Sequence, residues 1–302
     1  MIASSVIMIR PTAFGYNAET ADSNSFQHSP AHPSSHIQAA ALKEFEGLYE
    51  KLVQHGVDVI LHNDPVTPIK PDAIFPNNWF STHADGTVFL YPMLSTARRK
   101  ERREDIIDRL RERFSIKRII DLSPFELQGK FLEGTGSMVF DHKNKTLYAA
   151  LSPRTDKALL RVVANELKYE FTTFSTTDKN GKEIYHTNVV MNVSDELAVV
   201  CLECITENRS VVKQNLLSAG KEVIEISYEQ TEKFCGNMLM LKNNKNEKIM
   251  VMSQRAFGAL NKNQIGAIEK YASIISSPLD TIETVGGGSA RCMIAEINLQ
   301  SS

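Results

Sequence analysis

The sequence predicts an α/β fold in which five repeated αβ units form a ring, a five-bladed αβ propeller closed by its N-terminal strand. Three observations predict it. Five amphipathic helical segments stand along the chain, a short β-like run follows each, and a small or polar junction recurs roughly every fifty residues before the next strand. Residues 1–302 read as a single domain with five internal repeats.

The helical segments are QAAALKEFEGLYEKLVQHG, KERREDIIDRLRERF, TDKALLRVVANELK, NRSVVKQNLLSAG and NKNQIGAIEKYASI, each with apolar residues three and four apart. The runs that follow are VDVILHN, IKRIIDLS, YEFTTFS, KEVIEIS and IISSPLDTIETV. The junctions are FPNNW from residue 75, LEGTG from 132, YHTNV from 185, CGNML from 235 and GGGSARC from 286. After the first four, a strand turns and comes back, as in THADGTVFLYP, where Asp85-Gly86 suits a two-residue hairpin. The fifth unit runs out of chain at CMIAEINLQSS. The N-terminal SSVIMIRP is its expected partner, closing the ring and removing exposed sheet edges.

Composition narrows the function. The chain has 302 residues, is 42% hydrophobic and 23% charged, and has a net charge of -2. That balance lacks the basic field that nucleic acid requires. The run ARRKERRED at 97–105 mixes acids with its bases and reads as the solvated start of a helix. The opening MIASSVIMIRP lacks a basic leader and a long apolar run, and no stretch approaches a membrane span, so the expected setting is the cytoplasm. Four cysteines make no disulfide framework there. Cys201 and Cys204 imitate half of a metal site, but residues three apart on a strand point to opposite faces and no second pair completes it.

In a ring the junctions converge near the axis, so their side chains share one place. In order they carry Asn77 and Asn78, Glu133, His186 and Asn188, Cys235 and Asn237, and Cys292. Thiol, imidazole and carboxylate are the parts of nucleophilic catalysis. Singly, a buried cysteine is usually packing, a histidine usually structural, and Glu133 suits a turn. Their common register in the repeat is what favours chemistry. Cys292 is preferred as nucleophile because its glycine-rich approach lets backbone N–H groups come close to a substrate; Cys235 opens an alternating core strand. A phosphate cradle is disfavoured because strand, not helix, follows the glycines. His83 is expected to line its strand.

These motifs, with LEG at 132–134, His-x-Asn at 186–188 and the terminal GGGSARCM, resemble the guanidine-modifying, or pentein, superfamily over nearly the whole chain. The resemblance implies Cys292 as nucleophile, His186 as general acid and base, and Glu133 as the partner of His186. It also implies Arg154, in LSPRT, and Arg98, in ARRKE, as holders of a substrate carboxylate. Arginine deiminases carry acids where this chain has Asn78 and Asn188. Neutral amides complement a ureido group better than a guanidinium, which needs compensating charge. The sequence is similar to the citrulline-utilisation hydrolase branch, which implies conversion of citrulline to ornithine, ammonia and carbon dioxide through a thiol intermediate, without metal or organic cofactor. Arginine dihydrolase, arginine deiminase, dimethylarginine hydrolase and amidinotransferase are the alternatives. The expected partner is a small amino acid, and self-association is left open.

Overall fold

Strand β1 (Ser5–Arg10) runs parallel to β2 (Asp58–Asn63), and the crossover between them is the helix Ser34–Gln54. In the computed structural model, which describes residues 2–30 and 33–302, this parallel crossover recurs. β3 (Phe80–Thr82) returns antiparallel as β4 (Thr87–Leu90), which crosses through the helix Glu104–Arg111 to parallel β5 (Arg118–Asp121). β6 (Val139–Asp141), β7 (Thr146–Ala150), the helix Lys157–Leu167 and β8 (Glu170–Thr176) repeat the pattern.

The next unit is β9 (Met191–Val193) and β10 (Leu197–Val200), then β11 (Ile205–Glu207), which joins β8 antiparallel. It is completed by the helix Arg209–Ser218 and β12 (Glu222–Glu225). β13 (Leu239–Lys242), β14 (Lys248–Ser253), the helices Gln254–Ala259 and Lys262–Glu269, and β15 (Ser273–Ser277) follow. Finally β16 (Ala295–Ile297) pairs antiparallel with β1, Ser5 opposite Ile297 and Ile7 opposite Ala295. The sheet β16-β1-β2 thus has the same internal order as β3-β4-β5, with its strands drawn from both ends of the chain.

Five apolar clusters among the described residues each lie between two sheets, because every central strand buries both faces. Leu197 and Val199 of β10 enter one cluster and Ala198 and Val200 the next. β14 divides in the same way, Ile249 and Val251 on one side and Met250 and Met252 on the other. Two-sided burial explains why these strands read as unbroken apolar runs. The crossover helices cover the clusters with one stripe each; Ile37, Ala41, Phe45, Leu48 and Leu52 form that of Ser34–Gln54.

Three expectations are corrected. No sheet among the described residues closes on itself; β3 lies against β16 and β6 against β9, so inner edges are covered by neighbours instead of removed. The hairpin at Asp85-Gly86 uses a longer loop, in which Gly86 N–H reaches His83 O and only the glycine adopts positive φ, at 88°. Cys201 and Cys204 do not point apart: β10 ends at Val200, and the turn beyond it brings the two sulfurs to 2.9 Å. No helix among the described residues is long and apolar enough to cross a membrane.

Candidate active site

Each of the first three junctions is a single tight turn that precedes an inner strand. Pro76–Asn78 is a 3-10 turn with Pro76 at its start, where a missing N–H costs nothing. Glu133 and His186 stand at the N-caps of the one-turn helices Gly134–Ser137 and Thr187–Val190. Backbones approach closely here: a Cβ on Gly134, whose φ is +47°, would lie 2.4 Å from Asn77 O. On Gly136 it would lie 2.5 Å from Asn78 Nδ2 and 2.6 Å from His186 Nδ1, so glycine is what lets these side chains meet.

His186 and Glu133 are both buried, and His186 Nε2 lies 2.8 Å from Glu133 Oε2. The same oxygen accepts from Arg154 Nη1 at 3.3 Å, while Oε1 accepts the Leu94 N–H at 3.1 Å. Burial pushes the Glu133 carboxyl up, but Arg154, His186 and Arg98 outweigh it and hold the group well below the usual carboxylate range. Burial, reinforced by the two arginines and opposed by Glu133, pushes His186 down to about 4. The resting pair is a carboxylate and a neutral imidazole.

The Cys292 sulfur is buried and receives two amide N–H donors, Asn188 Nδ2 at 3.5 Å and Asn237 Nδ2 at 3.3 Å. Asn237 is fixed in this orientation because it also donates to Asn188 O at 3.0 Å. The glycines before Cys292 accommodate neighbours as well as a ligand: a Cβ on Gly287 would lie 2.4 Å from Asn24 Nδ2, and one on Gly288 3.0 Å from the Phe75 ring. Cys235 points elsewhere. Its thiol donates to Ala256 O, and burial, with Glu283, pushes it up to about 12.

Cys292, His186, Asn78, Arg98 and Arg154 line one cavity of about 20 Å³, whose other walls include Thr20, Asn24, Asp72, Phe75 and Tyr185. Asn188 reaches it through the sulfur, and Glu133 through His186. The space holds roughly one water, so an amino acid enters only when part of the wall moves. The N-terminal segment supplies part of the wall: Arg154 donates to Thr20 O and Ser23 Oγ, and Asn24 Nδ2 donates to Gly287 O. Asn17 Nδ2 donates to Asp72 at 2.7 Å.

Both arginines expected to hold a carboxylate are already engaged. Arg98 forms a bidentate pair with Glu101, both distances 2.9 Å, and donates to Asn78 Oδ1 at 2.8 Å and to Phe75 O. Arg154 lies over the Tyr185 ring, 4.9 Å from its centroid, in addition to its bonds to Glu133, Thr20 and Ser23. His83 is buried away from this cavity, with Nε2 on Ser81 Oγ at 2.8 Å and its ring against Phe89 and Phe140. Asp72, Thr20, Asn24, Tyr185 and the thiol contact of Asn237 were missed from sequence; of these, Tyr185 and Asn237 carried a signal, their places in the third and fourth junctions. Among the described residues no cluster of His, Cys, Asp and Glu is set to hold a metal ion.

Several buried amide atoms among the described residues have no partner: Asn78 Nδ2, Asn188 Oδ1 and Asn237 Oδ1. Asp72 Oδ1 is likewise unpartnered. The assignment at Asn78 is forced, since the Arg98 guanidinium only donates and so must face the amide oxygen. Asn78 therefore offers the site an N–H donor.

Residues 10–299 match the family described as N,N dimethylarginine dimethylhydrolase, eukaryotic. Among solved structures, the chain is similar to the N-terminal domain of ArgZ, an arginine dihydrolase from the ornithine-ammonia cycle in cyanobacteria. That structure is bound to substrate, with 16% identity, 97% of each chain covered and a TM-score of 0.75. It is similar to AgrE in complex with L-arginine at 16% identity and a TM-score of 0.76, covering 98% of this chain and 40% of AgrE. A DDAH from Pseudomonas aeruginosa complexed with citrulline aligns at 13% identity and a TM-score of 0.68, over 98% of this chain and 100% of that one. No curated protein matches the sequence.

Proposed function

The chain belongs to the N,N-dimethylarginine dimethylhydrolase family of the guanidino-modifying pentein superfamily, and from that premise we propose that it is a cysteine-dependent hydrolase of a ureido amino acid, converting citrulline to ornithine, ammonia and carbon dioxide. One observation carries the choice of substrate. Asn78 presents an unpartnered N–H donor whose orientation Arg98 fixes. A ureido group has a carbonyl to accept it, whereas a guanidinium has only donors and would leave it unsatisfied at about 1–3 kcal/mol. The unpartnered oxygen of Asn188 suits the ureido N–H groups.

In this reading the Cys292 thiolate, held by Asn188 and Asn237, attacks the ureido carbon. As the thiol of Cys292 is deprotonated, His186, oriented by Glu133, takes its proton; the bond from the ureido carbon to the ornithine nitrogen then breaks and His186 delivers that proton to the departing amine. The carbamoyl group remains on sulfur. Water deprotonated by His186 then displaces the sulfur, and the resulting carbamic acid separates into ammonia and carbon dioxide. Arg154 and Arg98 take the α-carboxylate, which replaces Thr20 and Ser23 at Arg154, and Asp72 takes the α-ammonium. No metal or organic cofactor enters.

The catalytic unit is residues 1–302 as one five-bladed αβ propeller in the cytoplasm. Support for the ring is that apolar clusters link neighbouring sheets all the way round to the first. A second reading, arginine dihydrolase, is favoured by the substrates of the structural relatives and by the Asp72 carboxylate in the cavity.

The test is parallel incubation with citrulline, arginine and methylated arginines, with ornithine, citrulline and ammonia measured. Ornithine from citrulline but not from arginine is expected, and none with Cys292→Ser. Citrulline accumulating from arginine would overturn the reading, ornithine from both would establish the dihydrolase, and turnover only with an added amine would make the protein an amidinotransferase.

A further inference from the structure

Cys201 and Cys204 lie outside the chemistry above, yet their sulfurs are 2.9 Å apart, with Cys204 Sγ donating to Cys201 Sγ. Both side chains are buried, and the Thr231 hydroxyl stands 3.9 Å from Cys204 Sγ. The turn is held at both ends. Cys201 N–H donates to Val190 O at 3.0 Å, and Cys204 O accepts the Thr177 N–H at 2.9 Å. A disulfide needs its sulfurs about 2 Å apart, so closure requires an approach of about 0.9 Å. Glu203, between the two buried cysteines, is exposed.

We infer that Cys201 and Cys204 form a dithiol site that closes reversibly to a disulfide with a two-electron oxidant such as hydrogen peroxide. The Cys201 thiolate attacks one peroxide oxygen, the O–O bond breaks, and the departing hydroxide takes a proton to become water. Cys201 is then a sulfenic acid. The Cys204 sulfur attacks the Cys201 sulfur, the S–O bond breaks, and hydroxide leaves with the Cys204 proton as a second water. Two thiols are oxidised by two electrons and one peroxide is reduced to two waters.

Geometry selects the order of attack. The S–H of Cys204 already points at Cys201, stabilising its thiolate and presenting Cys204 as the resolving thiol. That hydrogen bond is the largest influence on Cys201 and brings it down to about 7 against its burial. Neither neighbour in sequence is basic, so the effect comes from the pair itself.

The site hangs on the active-site wall. Val190, which Cys201 holds, ends the one-turn helix Thr187–Val190 that carries Asn188, a donor to Cys292. The inference does not depend on which substrate the enzyme takes.

The test uses the full-length Cys292→Ser protein, reduced and folded, so that the proposed nucleophile does not react. It is exposed to peroxide, quenched in acid, alkylated in denaturant and mapped by mass spectrometry. The expected result is loss of alkylation at both Cys201 and Cys204 together, a mass lower by about two hydrogens in the peptide that holds them, and full recovery with dithiothreitol. In Cys204→Ser on the same background, dimedone should trap a sulfenic acid at Cys201. Both thiols staying alkylatable while the protein remains folded, oxidation of Cys235 first, or a linkage formed only after unfolding would each overturn the site.

Discussion

Replacing Glu133 by Gln removes a charge without changing the shape of the side chain, and the structure allows its effects to be worked out. Glu133 accepts from His186 and Arg154 through one oxygen and from Leu94 N–H through the other. Glutamine has one oxygen and one NH₂, so one of these two sets must face a donor. The buried arginine also loses its countercharge, and breaking such a pair costs about 3–5 kcal/mol. The expected loss of stability is about 3 kcal/mol, because the amide still accepts from one set. The imidazole loses its orienting carboxylate, and kcat should fall by about 10²–10⁴, the usual worth of positioned acid–base catalysis.

The pH dependence has a definite sign. The Glu133 carboxyl sits below its unfolded value, so its contribution is fully present above about 4.3 and is lost only as pH falls further. His186 also sits below its unfolded value of 6.5, at about 4. Its neutral form is the folded one, so that contribution is present above about 6.5 and is lost as pH falls toward 4, about 3 kcal/mol in all. Glu133→Gln removes the influence that raises the imidazole, so any acid limb in kcat/KM should move to lower pH. Ornithine release across pH 4–9 and urea unfolding measure both effects. A kcat within about threefold of wild type, with an unmoved acid limb, would refute the assigned partnership.

Asn78→Asp combined with Asn188→Asp places carboxylates where the neutral amides stand, and the ratio of kcat/KM for citrulline over arginine should fall by about 100-fold or more, equivalent to about 3 kcal/mol. Parallel kinetics on the two substrates check this, and an unchanged ratio would remove the amides from substrate choice. Gly136→Ala drives a methyl to 2.5 Å from Asn78 Nδ2 and 2.6 Å from His186 Nδ1, so kcat should fall about 100-fold while the stably folded fraction, followed by circular dichroism, stays high. Cys235→Ala should keep activity within about twofold and cost about 1 kcal/mol in urea unfolding, since that thiol packs and donates to Ala256 O without reaching the cavity.

Much of this was legible because the repeat imposes its own arithmetic. A junction every fifty or so residues placed Glu133, His186 and Cys292 in one register, and the structure brings His186 and Cys292 to one cavity with Glu133 behind the histidine. The segment around Thr20 and Asn24 was not legible, because it has no periodicity and its polar residues find partners only in the folded chain. Asp72 lies just before a junction, outside the register that drew attention to Asn77 and Asn78. The pairing of Arg98 with Glu101 was written in ARRKE as an i,i+3 spacing, but burial is what turns that spacing into a fixed clamp. The cysteine pair does not obey strand alternation because β10 ends at Val200, so Cys201 to Cys204 lie one to four residues beyond the strand, in a turn.

That clamp gives Arg98 a second consequence. With Glu101 holding Nε and one N–H of Nη2, and Phe75 O the other N–H of Nη2, Nη1 donates to Asn78 and settles which way its amide points. An aspartate at position 78 would meet the same arginine with a charge and be neutralised by it, leaving no donor for a ligand. An asparagine keeps both functions apart, its oxygen spent on Arg98 and its nitrogen left toward the cavity. Under the proposed function, substrate choice is therefore set two residues deep: the amide reads the ligand, and the Arg98–Glu101 pair decides what the amide can read.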